Sequence, residues 1–325
     1  MSVIAVLILV LASLVVSLTT WRTVSQRTPS KHQIMPNPQD EILPAPQIPA
    51  DNEPEPAPKN TQDELPTAQT QNTSFQIHFF DVGEADSALV ECDGHYMLVD
   101  GGNPRSSQFL YAYLKEHAID YLDYIVCSHA HADHVGGLAG ALNYAKVGVA
   151  YAPVKEHDSR AFRSFVKYLE LQGKAITVPS PGDQFSLGSA LVTVIAPVDM
   201  EIAESNTNNS SIVLIVQYEE TTVLLTGDAE KEEEATILQS GVDIRSDLLN
   251  VGDHGSGTSS SPEFLEAVAP KYCVISVGEN NEYGHPSEEV LSRLSEYCNS
   301  VYRTDMDGEI VCTSDGKNLI IESEK

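Results

Sequence analysis

From Phe75 to the C-terminus, strand-length apolar runs alternate with segments of helical spacing, an order that restricts the chain to layered folds of α/β type. Three short runs open it, FQIHFFDV, DSALVEC and HYMLVDGG, and Asp93-Gly94 between the last two is a two-residue hairpin signal. SSQFLYAYLKEHA then has helical spacing, and YLDYIVCSH is an apolar strand. Further helices are predicted after Asp133 and in SRAFRSFVKYLELQG, with strands at VGVAYAPV and KAITVPS. ALVTVIAP, SIVLIVQY and TTVLLTGD return to strands, the last two turning at Glu219-Glu220. The final part reads as helices EKEEEATILQSG, PEFLEAVA and PSEEVLSRLSEYC among strands DLLNVGDHG, KYCVISVG, EIVCTS and NLIIES. Two sheets with helices on their outer faces follow, an αββα sandwich of four layers over residues 75–325.

The first 74 residues obey different rules. Residues 3–18 (VIAVLILVLASLVVSL) carry no charge, Pro or Gly and are followed by Trp21, Arg22 and Arg27, so residues 1–22 read as a signal or membrane anchor, with residues 3–20 in the membrane. Basic residues only on its C-terminal side favour a cytoplasmic body. A long spacer favours a stalk on the outer face, and a membrane-anchored or secreted, extracytoplasmic domain is the preferred reading. That spacer, residues 23–74, holds ten of the chain's 18 prolines and seven acids, and cannot bury enough apolar surface to fold.

Of the 19 basic and 47 acidic side chains, 4 and 7 lie in the first 74 residues, which leaves residues 75–325 with a formal charge of −25. Such a field repels polyanions at long range and favours metal loading. Five cysteines, odd in number and without a CxxC pair, do not form a disulfide framework or a zinc knuckle; Cys127 and Cys273, in apolar runs, are expected to be buried thiols.

Chemistry concentrates in S-H-A-H-A-D-H-V-G-G, residues 128–137, where the strand YLDYIVC stops. His129 and His131 can point the same way, while Asp133 and His134 begin the next turn and can face a second ion. Ala130 and Ala132 leave room for the ions, and Gly136-Gly137 let the following helix approach the sheet.

This run resembles the metal signature of metallo-β-lactamase-fold hydrolases. With DVGEADS (81–87), LVDGG (98–102), NNSSIVL (208–214), LLTGD (224–228), DHGSGTSS (253–260) and YGHPS (283–287), the chain is similar to the C-terminal hydrolase domain of the DNA-uptake competence protein ComEC and its stand-alone relatives. The resemblance implies that Asp228 bridges two divalent ions, zinc or manganese, and that His254 binds one of them. Asn208 stands where those relatives also have Asn, within reach of an ion directly or through water. Asp81 is a further metal or substrate candidate. β-Lactamases supply another His before the bridging Asp, but the only His between 135 and 253 is His157, which argues against a lactamase site. The family usually has His-His-Gly-Ser at Asp253-His254-Gly255-Ser256 and Gln-Gly at Glu84-Ala85.

Two such ions activate a shared water for in-line attack, with Asp133 as a catalytic ligand. The loop Gly255–Ser261 runs into Pro262, and Ser256 and Thr258 are candidates to bind an anionic substrate there. His285 is the candidate to protonate the leaving oxygen. Three readings are open: a phosphodiesterase or nuclease, single-stranded DNA included; a hydrolase of a small phosphoester or other ester; and a non-catalytic, metal-stabilised surface or DNA-handling module. No protein partner is inferable.

Overall fold

The computed structural model describes residues 74–325. The expected membrane segment 1–22 and, but for Ser74, the linker 23–74 lie outside them; among the described residues no helix is long and apolar enough to cross a membrane.

The first half runs β1 (Phe75–Phe79), β2 (Ala88–Cys92), β3 (His95–Val99), α1 (Ser106–Glu116), β4 (Tyr121–Val126), α2 (Ala132–Val135), α3 (Leu138–Tyr144), β5 (Lys146–Tyr151), α4 (Arg160–Leu171) and β6 (Ile176–Thr177). The second runs β7 (Gln184–Leu187), β8 (Ala190–Ala196), α5 (Met200–Ser205), β9 (Val213–Tyr218), β10 (Thr221–Leu225), α6 (Lys231–Ser240), β11 (Leu248–Asn250), α7 (Pro262–Val268), β12 (Tyr272–Ile275), α8 (Glu288–Tyr297), β13 (Ser300–Arg303), α9 (Thr304–Asp307), β14 (Ile310–Ser314) and β15 (Leu319–Ser323). One sheet has eight strands in the order β15-β14-β1-β2-β3-β4-β5-β6, the other seven in the order β13-β12-β11-β10-β9-β8-β7.

Alternation along the strands sorts side chains into three apolar layers. In β2, Ala88, Val90 and Cys92 enter the core between the sheets while Leu89 faces the helices outside. That central core includes Phe75 stacked on Tyr218 at 5.1 Å. Leu110 and Leu114 of α1 and Phe162 and Phe165 of α4 cover the eight-stranded sheet. Ile237 of α6, Phe264 and Leu265 of α7, and Val290 and Leu294 of α8 cover the other. The four-layer αββα arrangement is therefore present, each buried large side chain contributing about 1.5–3 kcal/mol.

Local signals act as expected at several places. Asp93 and Gly94 both have positive φ (55° and 79°), the geometry of a two-residue hairpin turn. Ser159, Ser261 and Ser287 cap α4, α7 and α8 by accepting from Phe162, Phe264 and Val290 N–H. The helix after Asp133 is two pieces, α2 and α3, because the chain passes Gly136-Gly137 against the loop after β3; a Cβ on Gly137 would lie 1.9 Å from Gly101 O. Sequence periodicity does not reveal β7, β13, α5 or α9. β7 and β13 are half-exposed end strands with little apolar contrast, and the two helices are single short turns. All five cysteines are free, with Cys127 and Cys273 buried.

Candidate metal centre

The carboxyl ends of parallel neighbours in both sheets converge on one place. β3 and β4 are parallel in one sheet, and β10 and β11 in the other. Past their ends stand Asp100, His129, Asp228 and His254, while Asp133 and His134 come from α2 and Asp86 from the loop just before β2.

Distances are short enough for shared cations. His129 Nε2 is 2.9 Å from His131 Nδ1 and 3.5 Å from Asp228 Oδ2, and His134 Nε2 is 3.2 Å from that same oxygen. His254 Nε2 lies 3.7 Å from Asp133 Oδ2 and 3.8 Å from Asp228 Oδ1. Two groups able to hold an ion result, His129 with His131 and Asp228, and Asp133 with His134 and His254; Asp86 and Asp100 join further groupings around Asp228, His254 and His134. Asp228 lies against both main groups: its Oδ2 faces His129 and His134 and its Oδ1 faces His254, the position of a carboxylate shared between them.

The rings are aimed from behind. The Ser276 carbonyl, an acceptor only, stands 2.9 Å from His254 Nδ1, so that nitrogen carries the proton and Nε2 presents its lone pair. Asp100 does the same for His134 Nδ1 at 2.9 Å while accepting from Ser128 N–H at 2.7 Å and Ser128 Oγ–H at 2.6 Å. Ser211 Oγ accepts from Asp228 N–H, which fixes the Asp228 backbone. In consequence His134 Nε2, His254 Nε2, Asp228 Oδ1 and Asp86 Oδ1 are buried without hydrogen-bond partners. Leaving one such atom unpaired costs about 1–3 kcal/mol. Four together, on borderline nitrogen and hard oxygen donors, fit divalent cations.

Electrostatics agree. Burial pushes the His129 imidazole well below its ordinary value. Burial acts the same way on His134 and His254, but carboxylates outweigh it: Asp228 and Asp100 hold His134 well above the usual range, and Asp228, Asp133 and Asp86 lift His254 to about 10. For Asp133 and Asp228, burial opposes ionisation and the facing imidazoles overcome it, His254 for Asp133 and His134 with His254 for Asp228, so both fall below the usual carboxylate range. Burial pushes the Asp86 carboxyl up to about 6. Buried carboxylates at this density need positive charge, which protonated imidazoles or metal ions supply.

Other expected residues fall in varied positions. His285 packs beside the centre, its ring 6.4 Å from that of His254 and its Nδ1 2.9 Å from Glu84 Oε1. The Asn208 amide donates to Glu230 Oε1, which leaves Asn208 Oδ1 buried and unpartnered. Asp81 is in none of the candidate groups and lies 3.9 Å from Lys325 Nζ; Asp86, five residues on, is the acid of that segment brought to the centre.

The expected anion loop needs correction. The Ser260 and Ser261 amides donate to the buried carboxylate of Glu234, so a protein anion already occupies the position suggested for a phosphate. Thr258 Oγ1 donates to Asp253 Oδ2 at 2.7 Å and lies 2.9 Å from Ser256 Oγ, so both hydroxyls serve the loop itself. Sequence reasoning also passed over Asp100 and Glu84 as site residues; LVDGG and DVGEADS held them in view, but only strand order shows where they point.

Together the fold and its His/Asp centre define a layered α/β protein with candidate dinuclear metal ligands at the carboxyl ends of both sheets. Residues 80–279 match the Metallo-beta-lactamase superfamily, and the chain belongs to it. ComE operon protein 3 of Bacillus subtilis (strain 168) is 30% identical over 253 residues, covering 72% of this chain and 32% of that protein. Competence protein ComA of Neisseria gonorrhoeae is 29% identical over 236 residues, 72% of this chain and 31% of that protein. These are the ComEC-type relatives that the motifs indicate, and the chain spans about a third of their length. Among solved structures, the metallo-beta-lactamase fold protein YhfI from Bacillus subtilis superposes with a TM-score of 0.50 at 12% identity, over 74% of this chain and all of that one, a likeness of fold.

Proposed function

We propose that this protein is a two-metal hydrolase of phosphodiesters. His129, His131 and Asp228 would hold one divalent ion, Asp133, His134 and His254 the other, with Asp228 shared; zinc and manganese both suit this mixed nitrogen and oxygen set. The observation that carries the reading is the group of buried, unpartnered donor atoms on His134, His254, Asp228 and Asp86. A bound pair of divalent ions supplies Lewis acidity, making water nucleophilic near neutral pH and offsetting charge on the attacked ester.

The remaining work belongs to the chain. Asp100 and the Ser276 carbonyl orient the two buried imidazoles, Asn208 offers Oδ1 toward an ion or a coordinated ligand, and His285 holds or delivers a proton for the leaving oxygen. Relatives named for competence and recombination support a nucleic-acid phosphodiester, single-stranded DNA included. A small phosphoester or other ester is favoured instead by the −25 charge of residues 75–325 and by the occupation of the Ser260 and Ser261 amides. The same proposal tethers the domain through residues 3–20 outside the cytoplasm, which protease accessibility on intact cells tests.

The test is hydrolysis of bis-(p-nitrophenyl) phosphate and single-stranded DNA by the full chain with zinc or manganese, beside Asp133→Ala. Metal-dependent cleavage lost in the variant supports the proposal, and cleavage of DNA with a shallow salt dependence favours nucleic acid over a small ester. A metal-loaded chain inert on both substrates sinks the phosphodiesterase reading.

A further inference from the structure

Beside the centre, the loop before β2 packs its backbone against the loop between β12 and α8, where a Cβ on Gly278 would lie 2.5 Å from Glu84 N, and the Glu84 side chain bonds across. Glu84 Oε2 accepts from Gly278 N–H at 2.8 Å, and Glu84 Oε1 lies 2.9 Å from His285 Nδ1. Asn281 holds the His285 backbone from both sides, accepting from its N–H at 2.9 Å and donating to its carbonyl. The imidazole also lies near-parallel to the Tyr283 ring, centroids 5.7 Å apart, and to that of His254, 6.4 Å apart. Its direction is settled by the stack and the clamp, and its proton by Glu84.

We infer that Glu84 is a positioning residue that dictates the tautomer of His285. A backbone N–H can only donate, so Gly278 takes one carboxylate oxygen as acceptor. The other oxygen is also an acceptor, which requires His285 Nδ1 to carry a hydrogen. Nε2 is left as the ring nitrogen that can accept a proton and return it, the arrangement a buried carboxylate imposes in acid–base dyads generally. An amide at position 84 reverses this. Its single oxygen must still accept from Gly278, so its NH₂ faces His285, Nδ1 becomes the acceptor, and the ring hydrogen moves to Nε2.

The catalytic consequence rests on the hydrolase reading above, but the tautomer does not, and the experiment separates the two. In the full chain with isotope-labelled histidine, the His285 ring nitrogens are assigned by comparison with His285→Ala and read over a pH series, on the high-pH plateau where their signals stop moving. The wild type is expected to carry its hydrogen on Nδ1 and Glu84→Gln on Nε2. A wild-type hydrogen on Nε2, or a tautomer unchanged by Glu84→Gln, overturns the inference whether or not the protein cleaves anything. With a cleaved substrate in hand, Glu84→Gln is expected to alter the pH profile of kcat with little change in KM, and to add nothing in a His285→Ala background. Full additivity there overturns it too. A tautomer switch in a protein without hydrolytic activity supports the positioning role and removes the hydrolase reading alone.

Discussion

His134 Nδ1 stands 2.9 Å from Asp100 Oδ2, with both side chains buried. Because Asp100 also accepts both Ser128 hydrogens, one carboxylate sets the direction of His134 and the shape of the loop that carries His129. Asp100→Asn keeps the volume but turns one acceptor into a donor facing a donor. Its metal affinity should fall about 10- to 100-fold, read by competition against a chromogenic chelator. Unchanged affinity would mean that His134 needs no support from behind.

Glu234 closes the loop that leads into α7. Its carboxylate accepts from Ser260 and Ser261, and Arg293 donates to the Ser259 and Ser260 carbonyls beside it. Glu234→Ala strands two N–H groups in a buried setting and should lower stability by about 2–5 kcal/mol, visible as a reduced urea midpoint at unchanged slope. A shift under about 0.5 kcal/mol would show that solvent replaces the carboxylate.

Asp86 makes the metal-free protein sensitive to pH in a defined direction. Burial raises its carboxyl from 3.8 to about 6, so the folded chain binds a proton the unfolded chain has released across that window. The associated stability is present at low pH and lost as pH rises through about 6, a cost of about 3 kcal/mol at neutrality. In chelator-treated protein, Asp86→Asn should therefore be the more stable form at pH 7 and lose its advantage near pH 4. Urea titrations across that range check it; a variant less stable than wild type at pH 7 contradicts it.

Metal removal should be felt by the whole fold, since the ligands come from both sheets. Ions at about a thousand times their dissociation constant contribute about 4 kcal/mol, or roughly 10 °C in melting temperature for a domain of this size. Calorimetry before and after chelation measures it, and an unchanged melting temperature would place the ions elsewhere or nowhere.

What could be read from the sequence divides by distance along the chain. His129, His131, Asp133 and His134 share six residues at a strand end, and their convergence needs no knowledge of strand order. The serine caps of α4, α7 and α8 are equally local. The β2–β3 hairpin is local, marked by Asp93-Gly94, but Asp86 and Asp100 reach the centre only because β3 also lies beside β4, a parallel pairing that neither periodicity nor a turn encodes. The misread loop has the same origin. Ser256 to Ser261 look free to bind an anion until α6 supplies Glu234 from a run, EKEEEA, whose composition suggests a solvated face but whose Glu233 and Glu234 are buried. Likewise β14, late in the sequence, pairs onto β1 at the start of the domain, with β15 on its other edge.

The central claim is that one His/Asp centre holds two ions and uses them to cleave a phosphodiester. The direct measurement is a titration of chelator-treated full chain with zinc or manganese, following bound metal and bis-(p-nitrophenyl) phosphate hydrolysis together. The account predicts that activity climbs to a plateau at two bound equivalents and that Asp228→Ala abolishes it. Hydrolysis indifferent to chelation, or full metal loading with no hydrolysis of any phosphodiester, would contradict it.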